Sequence, residues 1–162
     1  MTTYLLDVNV LIALAWPSHV HHTRARNWWA TVDSWATTPV TESAFVRLST
    51  NASVVGQAMT VAQALSMLET IRGTHGHTFL ADESSLAEPT IALTRVATSS
   101  QITGAHLVNV AARHGATLAT MDAGIPDMLH PADRHHALLL PLTQPPQPKY
   151  VPASASTTNV PL

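Results

Sequence analysis

An α/β fold, with helices on both faces of a central parallel sheet, is what this 162-residue chain predicts, and three observations predict it. Short apolar or β-branched runs alternate with segments of helical period, the pattern of parallel strands joined by crossover helices. Hydrophobic residues make up 46% of the chain against 11% charged, enough to fill a sizeable core. Acids also follow several of the apolar runs, which is where a parallel sheet leads into its helices.

Taken in order, strands are expected over residues 3–6, 36–40, 117–121 and 137–140, with residues 77–81 as a short strand or connector. A first helix over residues 8–16 is stopped by Pro17. A second should run from about 19 to 34, with Trp28, Trp29 and Trp35 supplying bulk for packing, and a third opens at Thr41. Residues 60–72 (TVAQALSMLETIR) form an amphipathic helix that Gly73 ends. After the acidic stretch DESSLAEP, helix is expected over residues 90–98 and again over 103–114, ended by Gly115. The single domain is expected to span residues 1–141. Residues 142–162 form a Pro-rich tail that sustains neither helix nor central strand, because six of the 11 prolines fall in the last 22 residues.

Composition narrows the function. No apolar stretch reaches the roughly 18 to 20 residues of a membrane span, and the start of the chain has no basic segment of the signal-peptide kind, so a cytoplasmic protein without membrane contact is expected. There is no cysteine, which removes disulfides and thiolate metal sites. A formal charge of -2 excludes nucleic-acid binding through bulk positive charge, so any polyanion must be met locally.

Asp7 interrupts the apolar run LLDVNVLIAL (residues 5–14). An unpaired carboxylate costs several kcal/mol to bury, so it calls for a partner. Glu42 follows TTPVT and Asp122 ends TLATMD, so three acids share one expected address, the carboxyl ends of strands. Each has a bland reading as a helix cap or turn residue. Three together, in a chain with few charges, point to a shared hard cation, Mg²⁺ or Mn²⁺, since clustered carboxylates without cysteine suit octahedral oxygen coordination. Such an ion activates water and neutralises charge on a phosphodiester. Receiver domains and aspartyl-phosphate phosphatases also begin with a strand-end Asp, but they characteristically use a lysine, and the one lysine here, Lys149, lies in the tail.

LLDVNVLIAL, TTPVTESAFVRL and QITGAHLVNVAARHGATLATMDAGI, in this order and spacing, resemble the PIN domains of the VapC group, toxin subunits of bacterial toxin–antitoxin pairs. SHVHHTRARNWWA and HTFLADESSLAEP also resemble matching parts of that group, so the likeness covers about residues 3–141. It implies a PIN-like fold and a Mg²⁺-dependent endoribonuclease that cuts tRNA or ribosomal RNA. It also implies a homodimer, silenced by a VapB-type antitoxin that places an Arg near the carboxylates. The group's acids fall on Asp7, Glu42 and Asp122, as catalytic residues and metal ligands. Asn9 matches an amide that orients the first acid, and Thr120 a hydroxyl residue near the site. Arg47, on the Glu42 helix, is expected either to pair with a carboxylate or touch RNA phosphate, or to be a plain surface Arg.

One departure stands out. Where the group has an acid in a pattern like T-D-A-x-L, this chain reads Thr103-Gly104-Ala105-His106-Leu107, so a metal ligand is substituted by Gly104. Losing one carboxylate of four lowers both metal affinity and rate. The alternative reading is therefore a catalytically impaired PIN domain that binds antitoxin or RNA without cleavage. Asp127 is an auxiliary acid near Asp122, while His106 is read mainly as a surface or packing residue. The H-x-H-H of His19, His21 and His22 is read as an exposed helix start rather than a metal site. No glycine-rich phosphate loop follows the first strand.

Overall fold

A computed structural model describes residues 1–142, so the expected Pro-rich tail lies, beyond Leu142, outside the described residues. The strands are β1 (Tyr4–Leu6), β2 (Trp35–Thr37), β3 (His77–Phe79), β4 (Thr117–Thr120) and β5 (Ala137–Leu139). They form one parallel sheet in the order β3-β2-β1-β4-β5. The helices are α1 (Val8–Ala15), α2 (His22–Trp29), α3 (Pro39–Ser49), α4 (Ala52–Val55), α5 (Val61–Arg72), α6 (Ile102–Arg113) and α7 (Gly124–Met128). Among the described residues no helix is long and apolar enough to cross a membrane.

Two apolar residues in succession at the sheet centre require cover on both faces, and β1 has them: Leu5 and Leu6 are both fully buried. Leu5 packs with Ala36 and Leu118 against the apolar face of α6 and the buried Ile125 and Met128 of α7. Leu6 packs with Trp35 and Ala119 in a second core built from α1, α2, α3 and α5, where Phe45 is fully buried and Trp16 meets its ring at 5.9 Å. The sheet thus separates two cores. The chain places β2 and β3 on one side of β1, then crosses to β4 and β5 on the other. The switch point between β1 and β4 opens a crevice at the carboxyl ends of the strands.

Several expected boundaries move. β2 stops at Thr37, because Pro39 has no amide to give a ladder and instead occupies the first turn of α3, two residues earlier than the expected start at Thr41. Helix α2 covers only His22–Trp29, and Trp35 is a strand residue whose indole Nε1 donates to the His75 carbonyl at 3.1 Å. Residues 77–79 pair as a true strand.

The helix expected over residues 90–98 does not form. The segment instead follows an irregular path over the core, where Asn109 Oδ1 accepts from Thr90 N (2.7 Å), Asp133 Oδ2 accepts from Ala92 N (2.9 Å) and Ile91 is buried. Helix α5 starts as expected, with Thr60 and Gln63 closing a capping box. Gly115, at φ 63°, takes the left-handed turn that ends α6, whereas Gly73 ends α5 in a right-handed conformation that does not require glycine.

Candidate active site

Asp7 is the residue after β1 and the N-cap of α1, yet its side chain makes no capping hydrogen bond. The capping alternative therefore does not describe it. Only 7% exposed, its carboxylate instead faces the end of β4, where Thr120 Oγ1 donates to Oδ2 at 2.6 Å and Asn9 Nδ2 donates to the same oxygen at 2.8 Å. The Thr120 hydroxyl is fully buried and spends its one proton on Asp7, so it accepts from Asn9 Nδ2 (3.2 Å) and from the Asp122 amide (3.1 Å). Asn9 Oδ1 accepts from Met121 N at 3.1 Å. Asn9 and Thr120 thus join the β1 end to the β4 end and aim the Asp7 carboxylate.

Asp122 stands exposed at the mouth, its Oδ1 accepting from Gly124 N at 2.8 Å. Burial pushes the Asp7 carboxyl above its usual range. The Thr120 hydroxyl and the nearby amides of Val8 and Asn9 pull it back, and the negative charge of Asp122 pushes it up further. Both acids line a cleft of about 470 Å³ with Asn9, Gly104, Thr98 and Gln101. The substituted position is thus part of the same cleft. A Cβ at Gly104 would lie 3.0 Å from Ile125 Cγ1 and 3.1 Å from its Cδ1, so a side chain there requires Ile125 to move.

Glu42 stands elsewhere on the rim. It reaches back to Thr37, whose Oγ1 donates to Oε1 at 2.6 Å, and Arg72 Nε lies 3.3 Å from that oxygen. Because Thr37 gives its proton to the carboxylate, the 2.8 Å contact between Thr37 and His77 Nε2 makes the imidazole nitrogen the donor. The Arg72 guanidinium also lies over the Phe79 ring, 5.0 Å from its centre. Glu42 and Arg72 line their own surface pocket with Leu65, Leu68 and Glu69.

The remaining candidates lie apart from the cleft. Arg47 is exposed on α3, and Asp127 is exposed on α7, where its carbonyl accepts from Arg95 at 3.2 Å. His106 turns to Asp82, with Nε2 and Oδ2 2.7 Å apart. Sequence reading missed the group formed by Thr37, Arg72, His77 and Phe79. Its one sequence signal was an aromatic in the short strand HTF, next to an arginine ending an amphipathic helix.

Among the described residues no three His, Asp or Glu side chains gather closely enough to hold a metal ion. Within the cleft, Asp7 and Asp122 fit a hard divalent cation: two carboxylates of like charge, one of them desolvated, with no thiolate or imidazole in the lining. Glu42 does not belong to that set in this arrangement.

No family model matches the chain. Among curated proteins it is 48% identical over 124 residues to Ribonuclease VapC38 of Mycobacterium tuberculosis (strain ATCC 25618 / H37Rv), covering 75% of this chain and 86% of that protein. It is 44% identical over 128 residues to Ribonuclease VapC39 of the same strain (77% and 92% covered), and 36% identical over 124 residues to Ribonuclease VapC29 (76% and 88%). Among solved structures, the crystal structure of PAE2754 from Pyrobaculum aerophilum superimposes with a TM-score of 0.52 at 22% identity, covering 79% of this chain and 80% of that one, a likeness of fold. With relatives at this identity matched over most of their length, and with the quoted motifs carried on a parallel sheet of this kind, the chain belongs to the VapC family of PIN-domain toxins.

Proposed function

We propose that this chain is the endoribonuclease of a toxin–antitoxin pair, cytoplasmic and homodimeric, acting on tRNA or ribosomal RNA with Mg²⁺ or Mn²⁺ and neutralised by a VapB-type antitoxin. The observation that carries the reading is the pair Asp7 and Asp122 at the β1/β4 switch point, with Asp7 buried and, among the described residues, no cationic side chain against it. The kinship to Ribonuclease VapC38 and VapC39 supports the reaction class.

In this reading Asp7 and Asp122 hold the ion, Asn9 and Thr120 fix the Asp7 carboxylate, and Glu42 joins the set on leaving Arg72. What the ion supplies when bound is neutralisation of phosphodiester charge and a water of lowered pKa. The open cleft, floored by the loop and helix around Thr98, Gln101 and Gly104, leaves room for an RNA backbone.

A second reading is favoured by Gly104, which lines the cleft where the family pattern has an acid: a domain that binds antitoxin or RNA but cuts poorly. The test is to incubate the purified, antitoxin-free chain with total bacterial RNA and Mg²⁺ or Mn²⁺, beside Asp7→Ala and Gly104→Asp. Cleavage by the wild type that disappears in Asp7→Ala supports the enzyme. Silence in the wild type with cleavage by Gly104→Asp supports the impaired domain, and identical behaviour of all three variants removes the cleft from the reaction.

A further inference from the structure

The Arg72 side chain is held on two sides and open on a third. Its guanidinium lies over the ring of Phe79, its Nε faces Glu42, and 43% of the side chain stays exposed. Phe79 is itself 43% exposed, at the end of the edge strand β3. The ion pair cancels much of the arginine's charge, so what the group offers solvent is a flat, fixed plane more than a free cation. Planar guanidinium and aromatic faces of this kind are what unpaired bases stack on. β3 is two strands from β1, so the backbone at Phe79 stands about 10 Å from the end of β1; the register turns Phe79 toward α5 and leaves the Asp7 cleft on the α6 face, so a strand crossing the carboxyl end of the sheet would pass from one to the other.

We propose that Arg72 and Phe79 form a stacking platform for an unpaired base of the RNA, flanking the nucleotide presented to the Asp7–Asp122 cleft. The proposal rests on the ribonuclease reading for its choice of ligand. It bears on the problem set by a net charge of -2 and scattered arginines, since stacking on a planar face adds binding that bulk positive charge does not supply here.

The test is metal-free binding, so that it stays separate from cleavage. In EDTA, anisotropy of a short labelled single-stranded RNA is measured with the full-length chain, with Phe79→Ala, Phe79→Tyr, Arg72→Ala and Arg72→Lys, and with a duplex of the same sequence as control. Phe79→Ala and Arg72→Ala should each weaken single-strand binding by about 10-fold or more, the scale of one lost base stack. Phe79→Tyr should bind as wild type, Arg72→Lys should fail because an ammonium has no plane, and duplex binding should not change. Thermal melts of each variant establish that the fold is kept. The proposal is overturned if the wild type does not bind, if Phe79→Ala binds as wild type, or if Arg72→Lys binds fully with a steep salt dependence, which would mark a phosphate contact. A wild type that binds in this pattern but cuts nothing with metal would leave the platform standing and remove the proposed catalysis.

Discussion

Two acidic groups sit on one rim of this sheet and solve their charge in opposite ways. At β2, Glu42 has an internal counter-ion in Arg72 and a donor in Thr37. At the β1/β4 switch, Asp7 has two neutral donors, Asn9 and Thr120, and faces a second carboxylate, with its own pKa raised. The first group is electrostatically complete within the chain. The second is left with excess negative charge that a cation from outside would offset, and this difference, more than the number of acids, identifies where chemistry belongs.

The largest change should come from cutting the support of the unbalanced group. Thr120→Val removes the hydroxyl that donates to Asp7 and accepts from Asn9 and Asp122, and should lower Mn²⁺ affinity, read by calorimetry, by roughly 10- to 100-fold, the usual effect of removing a group that orients a ligand. Unchanged affinity would mean that Asp7 is not a ligand. Next in size is Gly104→Asp, which adds a third acid to the cleft but forces Ile125 aside. It should tighten Mn²⁺ binding while costing about 1 to 3 kcal/mol of stability in denaturant melts, the range for overpacking, and Ile125→Val in the same chain should recover part of that cost.

The smallest effect concerns the metal-free protein. Folding raises the Asp7 pKa above its ordinary value of 3.8, so the folded state holds the proton more tightly than the unfolded chain. Stability from this group is therefore fully present below that value and is lost as pH rises through the folded pKa. Asp7→Asn, which stays neutral and keeps an oxygen acceptor, should melt close to wild type in acid and higher than wild type at neutral pH in EDTA, by on the order of 1 kcal/mol, the scale of one buried polar group. Added Mg²⁺ or Mn²⁺ should raise the wild-type Tm and leave Asp7→Asn unmoved. A neutral-pH melt in which Asp7→Asn is the less stable of the two would show that the carboxylate is compensated after all.

Much of the frame was readable from local chemistry. Leu5 and Leu6 in succession announced a strand covered on both faces, Pro17 ended a helix, and Thr60 with Gln63 opened one. Residues 90–98 carry helical pattern but are pinned in an irregular path by Asn109 and Asp133, which are distant in the chain, and by burial of Ile91. The helix expected over 19–34 stops at Trp29, where the amides of Thr31 and Val32 turn back to the carbonyls of Trp28 and Trp29 and lead the chain into β2.

The order of residues by itself determined the strands and most of the helices, the strand-end placement of Asp7, Asn9, Thr120 and Asp122, and the lack of an acid at Gly104, because these depend on neighbours a few positions away. Which carboxylates share a cleft was decided only by the tertiary structure. The order β3-β2-β1-β4-β5 sets Asp7 beside Asp122 across 115 positions of chain, and it leaves Glu42 next to Arg72 at the end of another helix. Periodicity carries no information about strand order, and a carboxylate turns toward whichever donor or cation the finished fold brings within reach.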